Sequence, residues 1–93
     1  MIRSFRDERT REVFNGRNPK GFPSSILKTA RRKLAILNAA AELEDLMSPP
    51  GNRLHALAHD RSGQHAIRVN EQFRVCFTWK DGDAYDVEVT DYH

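Results

Sequence analysis

After Asn52 the apolar residues stop recurring every third or fourth position and begin recurring every second one, so this chain has to pack helix against sheet. The changeover falls at Ser48-Pro49-Pro50-Gly51-Asn52, where two prolines and a glycine break any helix that reaches them. Before it, Pro23 followed by Ser24 and Ser25 marks a helix start. One apolar stripe follows at Leu27, Ala30, Leu34, Leu37 and Ala41, and a second at Ile36, Ala40, Leu43 and Met47. Continuous from Ser25 to Met47, this would be a rod of roughly 35 Å at about 1.5 Å per residue, one whole side of the molecule. A shorter helix, capped by Asp7, stopped near Gly16 and docked by Val13 and Phe14, is expected ahead of it. Met1 to Phe5 is expected as a short edge strand.

Beyond Asn52, Ile67 and Val69, then Phe73, Val75, Phe77 and Trp79, then Tyr85, Val87 and Val89 alternate with mostly polar neighbours. That predicts three strands with one apolar face each, and Arg53 to Ala58 offers a fourth. Superimposing the apolar faces restricts the register, because a slip of one residue turns a whole strand inside out. Three-residue loops satisfy the parity. They pair Ile67 with Val75 and Arg68 with Arg74 in the first hairpin, then Phe77 with Tyr85 and Arg74 with Glu88 in the second, with a bulge at Gly82. A two-residue Asp81-Gly82 loop is disfavoured on the same ground.

Ninety-three residues suffice for one domain and a shallow groove, not a deep dinucleotide cleft. The single cysteine, Cys76, cannot close an internal disulfide, and no apolar run approaches a membrane span, so the chain reads as cytosolic, soluble and unconnected with membranes. The net charge of +2 hides segregation. Residues 1–33 hold ten Lys/Arg against three Asp/Glu, residues 34–60 one against four, and residues 61–93 four against six. Such a basic third suits either a solvated face or a polyanionic partner. Within it Lys28, Arg31 and Arg32 fall on one helix strip.

Two arginines placed opposite each other on a sheet repel, so Arg68 beside Arg74 suggests either a bridging anion or neutralisation by Glu88 and neighbouring acids. His55 and His59 form an H-x-x-x-H pair, but they follow strand-like sequence with no third ligand at a recognised spacing, so no metal is expected. His65 has nothing to distinguish it from a surface histidine. His93 is the last residue, next to Asp91 and Tyr92. No phosphate-binding loop, nucleophile elbow, zinc helix or dinucleotide fingerprint is present, so no cofactor is expected. Arginines for a phosphate and histidines for protons suit cleavage of RNA by its own 2′-hydroxyl.

The run Ser48-Pro49-Pro50-Gly51-Asn52-Arg53-Leu54-His55, the segment Gly63 to Asn70 leading into Gln72 to Trp79, and the terminal Asp91-Tyr92-His93 resemble the HigB-type killer proteins of the RelE/ParE superfamily. The resemblance covers about Arg31 to the end. It implies an α+β fold, with two N-terminal helices packed on a small, mostly antiparallel sheet in a single domain. It further implies a messenger-RNA endoribonuclease acting in the ribosomal A site and neutralised by a helix-turn-helix, HigA-type antitoxin in a hetero-oligomer. By position, His55 and His93 would transfer protons, Arg74 would hold the scissile phosphate, Tyr92 and Asp91 would orient base and substrate, and Arg68 would be a second phosphate contact. Some relatives carry a lysine shortly after the His55 position, where this chain has Ala58 and His59; either His59 takes over or the site works without that cation, and either histidine of the proton-transfer pair can be the acid. Lys28, Arg31 and Arg32 would meet ribosomal RNA. The alternatives are a non-enzymatic toxin of the same fold that blocks DNA gyrase, as in the ParE branch, and a binding module whose catalysis has lapsed.

Overall fold

In the computed structural model, which describes residues 1–92, the Asp7 carboxylate accepts from the Thr10 amide at 2.9 Å and opens α1 (Glu8–Phe14). The helix ends at Asn15 and Gly16, where Gly16 takes the left-handed φ of +88° that a side chain would resist. Val13 is fully buried, and the Phe14 ring packs 5.7 Å from that of Phe5. The next helix, α2 (Ser24–Ala39), buries Leu27, Ala30, Leu34 and Leu37 as the first stripe predicts.

The long rod does not form. α2 stops after 16 residues, about 24 Å, because Asp45 draws its backbone away. The Asp45 carboxylate accepts from the amides of Ala41 and Glu42 at 3.0 Å each, a capping box that starts a separate 3-10 turn at Leu43–Met47. Met47, on the expected second stripe, is therefore 65% exposed, and Leu46 is buried in its place.

Four antiparallel strands follow, in spatial order β1 (His55–Ala56), β2 (His65–Arg68), β3 (Phe73–Lys80) and β4 (Asp83–Asp91). Ile67, Val75, Phe77, Val87 and Val89 present one face to the helices and form the core with them. The first hairpin has the expected register, Ile67 opposite Val75 and Arg68 opposite Arg74.

The second hairpin does not. Lys80 pairs with Asp83 across a two-residue Asp81-Gly82 turn whose φ values, +52° and +82°, are those of the tight turn that matches strand twist. Parity is restored further along by a bulge opposite Phe77, between the pairs Thr78–Tyr85 and Cys76–Glu88, with Asp86 at φ +52°. Consequently Ala84, not Tyr85, shares a face with Trp79, and Arg74 pairs with Thr90 rather than Glu88.

Met1 to Phe5 is not a full strand. Ile2 and Phe5 make isolated parallel bridges to Ala84 and Val87 along the free edge of β4. Where that segment turns into α1, the buried Thr10 hydroxyl takes over, accepting from the Val89 amide at 3.0 Å. The sheet's second face is not open to solvent either. The 57–64 segment folds over it, held by Arg61 to Glu88 at 2.9 Å, and Ala66 and Cys76 are fully buried.

Replacing Thr10 with Val keeps the shape but strands the Val89 amide, so Thr10→Val should lower stability by about 1–3 kcal/mol. Urea unfolding of the two proteins checks it, and an unchanged midpoint would refute the pinning role.

Candidate active site

Strand alternation decides which candidate residues meet. Arg68 and Arg74, directly opposite, lie on the face away from the helices, and His55, opposite Ala66, joins them from β1. Tyr92 follows β4 and is tied by its amide to the Gln72 carbonyl at 3.0 Å. Arg53, His55, Arg68, Glu71 and Tyr92 line a groove of about 530 Å³. A neighbouring hollow of about 420 Å³ is lined by residues 57–61 and Arg74. Arg74 thus stands at the boundary between the two, its guanidinium carbon 5.1 Å from the centre of the Tyr92 ring.

The two arginines are held in place, and among the described residues no ion pair neutralises them. Arg68 Nε donates to the Asn70 carbonyl at 3.1 Å, which fixes the plane of its guanidinium. Arg74 Nε is buried with no hydrogen-bond partner among the described residues. Glu88, the counter-ion in one of the two alternatives for this pair, is instead committed to Arg61 at 2.9 Å and lies 3.7 Å from Arg6. Among the described residues neither Arg68 nor Arg74 forms an ion pair. Two adjacent guanidinium groups without an ion pair among the described residues carry the fork geometry that suits phosphate.

His55 is exposed at the rim, and its Nδ1 lies 2.7 Å from the Arg53 carbonyl oxygen. A carbonyl can only accept, so Nδ1 carries the proton and, in the neutral ring, the Nε2 lone pair is left free as a base. Arg53 can turn its carbonyl this way because it adopts the left-handed region, φ +46°.

Other candidates fall elsewhere. Asp91 pairs with Phe73 and so belongs to the helix-side face, where it borders a small hollow with Arg9 and Phe22. Its Oδ1 is buried without a partner among the described residues. His59, at φ +59° and exposed, lines the Arg74 hollow and not the His55 groove. Lys28 and Arg32 are exposed on α2 but line neither cavity. Arg31 does not belong to an exposed strip: its guanidinium donates to the Val13 and Arg17 carbonyls, both at 2.9 Å, and ties α1 to α2. His65 is no surface histidine, since it stacks 6.2 Å from Phe77. His93 lies outside the described residues.

The sequence reading missed Arg53 and Glu71 as groove residues, although Arg53 sits in the quoted run before His55 and Glu71 sits in the loop between the two arginines. It also missed Lys33, which is 5% exposed and donates to the fully buried Asn52 side chain. A lysine at helical spacing between Ala30 and Leu37, inside an apolar stripe, was the available signal.

Two helices on one face of a four-stranded antiparallel sheet define the fold of the RelE-like toxins. The whole chain superposes on 98% of a chain in the YoeB-YefM complex from Staphylococcus aureus, with a TM-score of 0.60 and 15% sequence identity. The family described as RelE-like toxin of type II toxin-antitoxin system HigB matches residues 3–93, and the chain belongs to it. It is 40% identical to Toxin HigB-1 of Vibrio cholerae serotype O1, over 90% of each chain. It is 30% identical to Endoribonuclease HigB of Proteus vulgaris over the full length of both.

Cys76 lies on the arginine face but is no nucleophile. Burial pushes its thiol above the ordinary cysteine range, outweighing the opposite pull of Arg74 and Arg61. Native protein at pH 7.5 should therefore react with iodoacetamide at least ~10-fold more slowly than protein unfolded in urea. Mass spectrometry over time measures both rates, and equal rates would contradict this placement.

Proposed function

We propose that this protein is an endoribonuclease that cleaves messenger RNA in the ribosomal A site, using side chains alone and the RNA 2′-hydroxyl as nucleophile. The observation that carries the reading is the pair of opposed arginines, Arg68 and Arg74, without an ion pair among the described residues, flanking a groove whose rim holds a histidine that keeps its proton on Nδ1. A relative of equal length that bears the name endoribonuclease supports it.

In this mechanism His55 Nε2 takes the proton from the 2′-hydroxyl. The 2′-oxygen attacks phosphorus, the bond to the 5′-oxygen breaks, and the leaving oxygen takes a proton from His93, the second of the two proton-transfer histidines that the family resemblance implies. The products are a 2′,3′-cyclic phosphate and a 5′-hydroxyl. Arg74 and Arg68 stabilise the charge that grows on the non-bridging oxygens, and Tyr92, whose ring lies beside Arg74, orients base and substrate. Asp91 acts from the opposite face of β4, supporting the strand end that carries Tyr92. His59 borders the Arg74 side, where some relatives place a lysine. Lys28 and Arg32 meet ribosomal RNA phosphates, and the ribosome supplies the substrate alignment that a shallow groove cannot. The neutralising partner in this reading is a helix-turn-helix, HigA-type antitoxin.

Purified protein added to ribosomes programmed with a defined message should give fragments ending in 2′,3′-cyclic phosphate. Arg74→Ala or His55→Ala should slow single-turnover cleavage by ~10²-fold or more. An intact message with wild-type protein, or cleavage unaffected by both substitutions, would overturn the reading; growth arrest that survives His55→Ala would favour the gyrase-blocking alternative. Raising salt should weaken ribosome binding more for wild type than for a Lys28→Ala/Arg32→Ala variant, as counterion release requires.

A further inference from the structure

Lys33 is a charge in the wrong place for a core helix. It is 5% exposed, lies among Ala30, Leu34 and Leu37 on the buried side of α2, and among the described residues has no acidic partner. Burial, together with the like charges of Arg32 and Arg68, holds its ammonium below the ordinary lysine range. Its hydrogen bond goes to the side-chain oxygen of Asn52, itself fully buried. The amide nitrogen of Asn52 in turn donates to the carbonyls of Leu46 at 3.1 Å and Ser48 at 3.2 Å, gathering the turn on its N-terminal side. On its C-terminal side Asn52 is joined directly to Arg53, whose left-handed conformation aims its carbonyl at His55 Nδ1.

We infer that Lys33 is a positioning residue for the cleavage reaction: through Asn52 it fixes the Arg53 carbonyl that holds His55 in the tautomer with Nε2 free. The inference rests on the reading of His55 as the base. An uncharged aliphatic residue would be the cheaper occupant of a helix stripe facing a core, and a buried ammonium is retained where its hydrogen bond does something an apolar side chain cannot. Here that bond orients Asn52, because an amide whose oxygen is held by Lys33 has to present its nitrogen to the two carbonyls. The linkage joins α2, the Ser48–Asn52 turn and the histidine rim into one unit, and α2 is also the element that packs beneath β3 and β4.

The test uses the intact chain with two substitutions. Lys33→Met removes the donor and keeps the apolar stem; Lys33→Gln keeps a neutral donor. Two quantities are read: the 15N resonances of His55, which report the tautomer, and steady-state cleavage of ribosome-bound message. In Lys33→Met, His55 should become a mixture of tautomers, and kcat should fall ~10-fold with KM within about twofold of wild type. Lys33→Gln should recover most of the rate and the wild-type His55 signal. Wild-type tautomer and rate in a folded Lys33→Met protein would overturn the inference, and so would a loss of rate with the tautomer unchanged, which marks a merely structural role. If Lys33→Met does not fold, Lys33→Gln decides, since a tautomer mixture there also overturns it. The His55 resonances stand whether or not the wild type cleaves RNA, so the inference and the cleavage reading can fail separately.

Discussion

Burying Ile67 against Val75, and Val75 against Val89, leaves Arg68 and Arg74 no choice but to stand side by side on the opposite face of the sheet. The apolar register therefore builds the cationic site. The hydrophobic stabilisation of several fully buried aliphatic and aromatic side chains, about 1.5–3 kcal/mol each, greatly exceeds the few tenths of a kcal/mol that two facing arginines cost on a sheet surface. The fold can hold a repulsive pair in place with no ion pair to relieve it among the described residues. Glu88 could have relieved it in another register, but the bulge at Asp86 turns Glu88 toward Cys76 and Arg61 instead.

That first register was legible in the sequence because Ile67, Val69, Phe73 and Val75 alternate cleanly and leave only one parity open. The second hairpin was not, because a two-residue turn of the wrong parity and a bulge compensate each other. Only the pair is consistent with the alternation, and neither Asp81-Gly82 nor Asp86 signals the other. The length of α2 was missed for a local reason: the apolar spacing runs on through Met47, but the Asp45 carboxylate offers the Ala41 and Glu42 amides a better partner than the continuing helix does. Of the site, the residues carried by the family resemblance separate by face: His55, Arg68, Arg74 and Tyr92 lie on the side away from the helices and Asp91 on the helix side. Arg31 looked like a surface cation because helical spacing shows direction but not reach, and its long side chain turns back to the carbonyls of Val13 and Arg17.

The molecule divides its charge by task. Arg3, Arg31 and Arg61 are committed to structure, clasping Asp83, the end of α1 and Glu88. Arg68 and Arg74 form no ion pair among the described residues; one is fixed by the Asn70 carbonyl and the other lies over the Tyr92 ring. A 93-residue domain has little interior to spend on a catalytic centre. The arginine groove lies instead on a sheet face, between a strand end and a short turn whose Asn52 accepts from the buried Lys33.

The central claim is that Arg68 and Arg74 form one phosphate receptor facing His55. Side-chain 15N resonances of the two guanidinium groups, followed during titration with a short RNA that carries a 2′-deoxy sugar at one position, test it most directly. Both sets should shift together along one binding curve, and Arg74→Ala should abolish the Arg68 shift as well as its own. Independent curves for the two arginines, or shifts confined to Lys28 and Arg32 on α2, would contradict it.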